Sequence, residues 1–170
     1  MTISMYSASV PVLKQMLAAL SEVLTKAEAH ATDRKIDPTA LLGARLFPDM
    51  FPLARQVQIA ADFAKGISSR LANADVPSWP DKADPTFTDL QELIAKTLAH
   101  LDAFKPEQFD GSQAREIVLR PGTPKEKKLM GSVYLLQYGL PQFFFHVTTS
   151  YALLRHNGVE IGKRDYMGAY

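Results

Sequence analysis

Apolar residues recur near the start of the chain at steps of three and four: Leu13, Met16, Leu17, Leu20, Leu24 and Ala27. Such spacing puts them on one face of an α-helix. It predicts a first helix running to about His30, with Pro11 in its first turn or kinking it. A second stripe, Leu53, Val57, Ala60, Ala64, Ile67 and Leu71, follows the entry "FPDMFPL". There Asp49 is expected to cap and Pro52 to sit in the first turn. The third stripe comprises Leu90, Leu93, Ile94, Thr97, Leu98, Leu101 and Phe104, with Thr88 and Gln91 at capping-box spacing ahead of it and Pro106 closing it. A fourth helix is predicted from about Ser132 to His156, interrupted or bent near Gly139 and Pro141, and ending at Asn157 and Gly158, which suit a left-handed C-cap.

The connections add smaller elements. Asp37 and Pro38 read as the cap and first residue of a short helix through Leu42. "NADVPSWPDKADPT" is a proline-rich linker without regular structure. Between Arg115 and Met130, "EIVL", the turn "RPGTP" and "KEKKLM" predict a β-hairpin, which must lean on the helices because two strands alone are marginally stable. The tail "GVEIGKRDYMGAY" reads either as an extended segment packing Ile161, Tyr166 and Met167 inward, or as a glycine-hinged lid bringing Lys163 or Asp165 over a pocket mouth. The expected architecture is all-α. It is a single domain over residues 1–170, an antiparallel four-helix bundle with a small hairpin between the third and fourth helices.

Composition narrows the function classes. In 170 residues, 19 Lys and Arg stand against 18 Asp and Glu, so a net charge of +1 gives no reason to expect nucleic acid or an anionic membrane as partner. No cysteine is present, which removes disulfides, thiol nucleophiles and zinc–thiolate sites. The start of the chain lacks a basic and apolar leader, and no run approaches the roughly 18 apolar residues of a membrane span. A cytoplasmic location is expected. The nucleotide-binding fingerprints GxGxxG and GxxxxGK[ST] are absent, as is HExxH. Trp79–Asp81 resembles a phosphatase loop but has no cysteine to serve. His30 and His100, near the ends of the first and third helices, are expected to be exposed or capping.

The fourth helix carries the candidate chemistry. At about 100° per residue, Gln142, His146, Thr149, Ser150 and Leu153 fall in one narrow sector, flanked by Phe143, Val147 and Leu154 on one side and Phe145 and Ala152 on the other. An uncharged polar strip bordered by hydrophobes points inward, where each group needs a partner. On the second helix Gln56 lies on the buried stripe. Gln56, Gln142, His146 and Ser150 are therefore expected to form a polar interior cluster. His146 reads either as a buried histidine bonded to Gln142 or Gln56, or as a donor, acceptor or general base in a small-ligand pocket. Phe144 and Tyr151 leave the opposite face apolar as well, to be covered by the tail or by a second subunit in a homodimer.

The helix order, the entry "LFPDMFPL" and the run "LPQFFFHVTTSYALLRHNGVEIGKRDYMG" resemble the bacterial domain-of-unknown-function family 1993 over nearly the whole chain. That family is similar to the DinB/YfiT superfamily of four-helix bundles. The resemblance implies a divalent metal held by three histidines, one on the second helix and an H-x3-H pair on the fourth, with an arginine nine residues beyond. Those positions fall here at Gln56, Gln142, His146 and Arg155, so His146 is the one ligand retained. Two amides and one imidazole are a weak donor set, and Asp62 lies opposite the apolar stripe, so no cofactor is expected. The function expected is a metal-free binding or interaction module, homodimeric and open to a small-molecule ligand. The alternative is a transferase or isomerase dependent on zinc or nickel, with a degenerate ligand set.

Overall fold

Four long helices organise the chain: α1 (Val10–Asp33), α3 (Leu53–Leu71), α4 (Phe87–Asp102) and α6 (Leu140–His156). The computed structural model describes residues 3–170. Helix α3 packs on α6 and α4, and α1 closes the ring against α4 and α6. The predicted stripes face inward, and Leu17, Leu24, Leu53, Leu71, Leu101 and Phe143 are wholly buried in one core. Burying each such side chain contributes about 1.5–3 kcal/mol. Among the described residues three short helices accompany the long ones, so the helix count there exceeds the expected four: α2 (Pro38–Leu42), α5 (Gly131–Val133) and α7 (Lys163–Met167). Among the described residues, no helix is long and apolar enough to cross a membrane.

The helix starts are partly as expected. Pro11 lies in the first turn of α1, and the Asp37 carboxylate accepts from the Thr39 N–H at 2.9 Å to cap α2. Asp49 caps nothing: it is exposed in the preceding loop, and Pro52 itself is the N-cap of α3. The capping box of α4 is formed by Thr86 and Asp89 rather than by Thr88 and Gln91. The Asp89 N–H donates to Thr86 Oγ1 at 3.2 Å, and the Thr86 N–H donates to Asp89 Oδ2 at 2.9 Å. Bonds from Lys82 and Thr86 hold the Asp89 carboxyl at about 2. Thr86→Ala is expected to lose about 1 kcal/mol in urea denaturation. Thr88→Ala should leave the midpoint unchanged, and the reverse order would reassign the cap.

The entry to α6 departs most from a simple helix. Between α5 and α6, Tyr134–Gly139 forms a π-helical turn. Pro141, just beyond the turn, has no N–H to donate to the carbonyl four residues back, and the Leu140 N–H reaches the Leu135 carbonyl, five residues back, as a π-turn requires. Gly139 lets this turn approach α3: an added Cβ would lie 2.9 Å from Ile67 Cγ1. The predicted bend is thus a π-turn. At the other end Asn157 is the C-cap and Gly158 takes a left-handed φ of 87°.

The hairpin forms as expected, with β1 (Glu116–Leu119) antiparallel to β2 (Lys127–Met130) and Ile117 opposite Leu129. It leans on the helices through buried Ile117 and Leu119. The tail is not extended throughout. Its residues 163–167 coil into α7, where Asp165 Oδ2 accepts from the Gly162 N–H at 2.7 Å and Gln15 of α1 donates to the Met167 carbonyl at 2.9 Å.

Candidate functional site

The α3–α6 contact buries two polar side chains that the sequence placed together. Gln56 is 1% and His146 7% exposed. The Gln56 amide nitrogen donates to the Phe51 carbonyl at 3.1 Å, which leaves the amide oxygen facing the imidazole. His146 Nδ1 therefore carries the proton and donates to Gln56 Oε1 at 2.7 Å. Its Nε2 keeps a lone pair that no described side chain uses.

The ring is fixed on three sides. It stacks on Phe63, with centroids 5.8 Å apart and planes 18° apart, and meets Phe145 edge-on at 5.2 Å. Burial, and secondarily the nearby Arg55 guanidinium, lower its pKa to about 4. His146 is a neutral imidazole at neutral pH. Arg55 is itself engaged by the Asp81 carboxylate of the linker.

The remaining expected members separate. Ser150 is buried but donates to the His146 carbonyl at 2.9 Å, within its own helix. Gln142 is half-buried and makes no side-chain hydrogen bond with a described residue, so it does not join the pair. Lys163 is exposed, while Asp165 binds Lys26 of α1 at 2.6 Å. Helix α7 lies against the face of α6 that carries Thr148 and Tyr151: Tyr166 shares a hydrogen bond with Thr148 at 2.9 Å and packs on Tyr151 at 5.8 Å. Those positions are about 140–200° around α6 from His146. The tail therefore covers the apolar Tyr151 face, and Lys163 and Asp165 sit away from the Gln56–His146 pair.

Among the described residues no three His, Asp or Glu side chains are grouped as a metal ion requires. Asp62 is exposed and binds Lys65 at 2.8 Å. His100 is neither exposed nor capping. It is half-buried, bonded to Ser69 Oγ at 2.9 Å and edge-on to Trp79 and Phe104. Trp79 in turn lies beneath the ammonium groups of Lys65 and Lys96, at 4.6 and 4.5 Å, which holds the linker on α3 and α4.

A second feature escaped the sequence reading. From His146 an aromatic row runs through Phe63 to Tyr138 at 6.1 Å and on to Tyr134 at 6.0 Å. It ends where Arg70 Nη1 donates to Tyr134 Oη at 3.3 Å. The π-turn supplies both tyrosines, and an i, i+4 aromatic pair beside Gly139 and Pro141 was the available signal.

Residues 5–167 match the family model described as Domain of unknown function (DUF1993). The chain is also similar to a crystal structure of a DinB family member protein from Shewanella denitrificans. That likeness has a TM-score of 0.90 and 38% sequence identity over 97% of this chain and 92% of the other. No curated protein matches.

Proposed function

Since the chain belongs to the DUF1993 family and is DinB-like in structure, we propose that it is a metal-independent binding module for a small molecule, assembled as a homodimer. One observation carries this reading, the Gln56–His146 hydrogen bond. At the α3 position where the resemblance implies a histidine ligand there is an amide, with its oxygen taken by His146 and its nitrogen by the Phe51 carbonyl. Gln142 offers at best another neutral oxygen. Such donors do not fit zinc or nickel, which favour imidazole, thiolate and carboxylate. What the pair provides instead is a neutral ring of fixed tautomer, presenting Nε2 as an acceptor between Phe63 and Phe145. Support for self-association comes from the exposed side chains of Leu46, Phe47, Phe51 and Phe145.

The other reading, a metal-dependent transferase or isomerase, draws on the same Nε2 lone pair. Elemental analysis of the purified protein, before and after incubation with zinc or nickel and desalting, separates the two. Substoichiometric metal and an unchanged melting temperature are expected. One metal per chain, lost in His146→Ala, would establish the second reading instead. Sedimentation equilibrium tests the dimer, and a monomer at micromolar concentration would remove that part of the proposal.

A further inference from the structure

The far end of the aromatic row opens into a cleft of about 200 Å³ whose lining includes Asp62, Phe63, Arg70, Arg120, Tyr134 and Tyr138. It brings together α3, the end of β1 with its turn, and the π-turn ahead of α6. We propose that this cleft binds a small aromatic carboxylate. The inference names a ligand class for the binding module proposed above and rests on that reading, but it is centred on the other end of the aromatic row, with Phe63 the one wall shared with His146. Arg70 stands 14 residues from Gln56 along α3, about 21 Å at helical rise.

The cleft carries uncompensated positive charge. Among the described residues, neither Arg70 nor Arg120 takes part in an ion pair. Asp62, the one carboxylate lining the cleft, is already bonded to Lys65 at 2.8 Å. Two guanidinium groups therefore share a concave surface without a counterion, and a planar carboxylate matches their paired N–H donors.

Arg70 is held in place by its own helix. Its side chain folds back along its own helix over Gly66, where an added Cβ would lie 2.5 Å from Nη1. Only glycine leaves that slot free. Nη1 then donates to Tyr134 Oη, and the phenol's own proton has no acceptor among the described residues. Tyr134 is 1% exposed, and its phenol is pushed up by burial, so it stays protonated and holds Arg70 as a neutral acceptor.

The walls decide the rest of the ligand. Phe63, Tyr134 and Tyr138 form a continuous aromatic surface, which favours a flat apolar body over a second charge. A dry cavity of about 150 Å³ holds one benzene, so roughly 200 Å³ suits a single ring bearing one carboxylate. π-Helical turns also recur at binding and catalytic sites.

The probe is sodium benzoate, titrated into the full-length protein by calorimetry with amide NMR. Saturable binding is expected, with shifts centred on Arg120 and Tyr138, and weakening as salt is raised. Arg120→Gln lies in an exposed turn, so the fold should be preserved, and affinity should fall about tenfold. Benzyl alcohol, which keeps the ring and lacks the charge, should bind at least about tenfold more weakly. Inorganic phosphate binding as tightly as benzoate would overturn the aromatic part of the assignment. Absence of saturation at millimolar benzoate, or an affinity in Arg120→Gln and Arg70→Gln unchanged from that of the natural protein, would overturn the site itself. Metal content is read separately on the same preparation. A stoichiometric metal with benzoate still bound refutes the metal-independent reading alone, and metal-free protein without benzoate binding refutes this site alone.

Discussion

Gly131→Ala is expected to lose more than about 3 kcal/mol of unfolding free energy, beyond the usual cost of an overpacked side chain. Gly131 opens α5 directly after β2, and an added Cβ would lie 1.9 Å from the Ser112 carbonyl oxygen and 2.9 Å from its carbon. Ordinary overpacking is relieved by a side chain changing rotamer. Here the obstacle is backbone, and that backbone is tied down on both sides. The same Ser112 carbonyl accepts from the Arg115 N–H at 3.2 Å, the Gly131 N–H donates to the Arg115 carbonyl at 2.8 Å, and the Arg115 guanidinium holds the Leu71 carbonyl at 2.7 Å. Moving the strand end away would break this set where the hairpin feeds the π-turn. Gly122→Ala is the control. Gly122 has a φ of 71° but open space around it, so its substitution should cost only about 1 kcal/mol of left-handed strain. Urea melts of both variants, with unchanged slopes, measure the difference. Equal losses would show that the backbone at residues 112–115 yields freely.

The contrast between those two glycines marks what local sequence conveys. Gly122 sits in "RPGTP", where the turn residues announce its role. Nothing near Gly131 foretells Ser112, because their contact depends on how the hairpin is laid on the helices. The same division runs through the molecule. Helix stripes, the Asp37 cap and the hairpin follow from neighbours in sequence and were legible there. Thr86 and Thr88 both stand three residues ahead of a capping partner; the helix begins at Phe87, buried in the core, with Thr86 as its cap. The turn of α7 exists because Lys26, Gln15 and Tyr151 receive it, so its three flanking glycines misled. Within the site, Gln56 and His146 were legible because each lies on a stripe, and the stripes of α3 and α6 face each other. Gln142 shares the angular sector but stands a turn earlier on α6, where it remains partly in solvent. The row from Phe63 to Arg70 was not legible: it joins residues from α3 and the π-turn, and periodicity assigns no register to a π-turn.

The other large effect is a loss of stability in mild acid through His146. Its pKa is about 4 in the folded chain against an ordinary value of 6.5. Above pH 6.5 the ring is neutral in folded and unfolded chains alike, and its contribution is constant. As the pH falls from 6.5 toward 4, the unfolded chain takes up a proton that the folded chain refuses, so stability drops. Below 4 both forms are charged and the drop is complete. The stabilisation at stake is of the order of 2–3 kcal/mol. His100 is also lowered, by burial and then by Lys65, and adds to the slope in the same region. The capping carboxylates do not intrude there: Asp89 is held at about 2, and Asp37 and Asp165 are lowered from 3.8, so their protonation matters only in stronger acid. The measurement is therefore a difference. Denaturation curves of the natural protein and of His146→Gln are compared at intervals between pH 7 and 4. The variant keeps an amide that can meet Gln56, starts lower at pH 7 because the stacking on Phe63 is lost, and should show a shallower decline, so that the two curves converge near pH 4. Parallel curves, or a His146 ring that titrates near 6.5 by NMR, would mean that the imidazole is solvated and that the Gln56 bond does not hold it neutral. In that case the acceptor role assigned to Nε2 would fail with it, since a charged ring has no lone pair to offer.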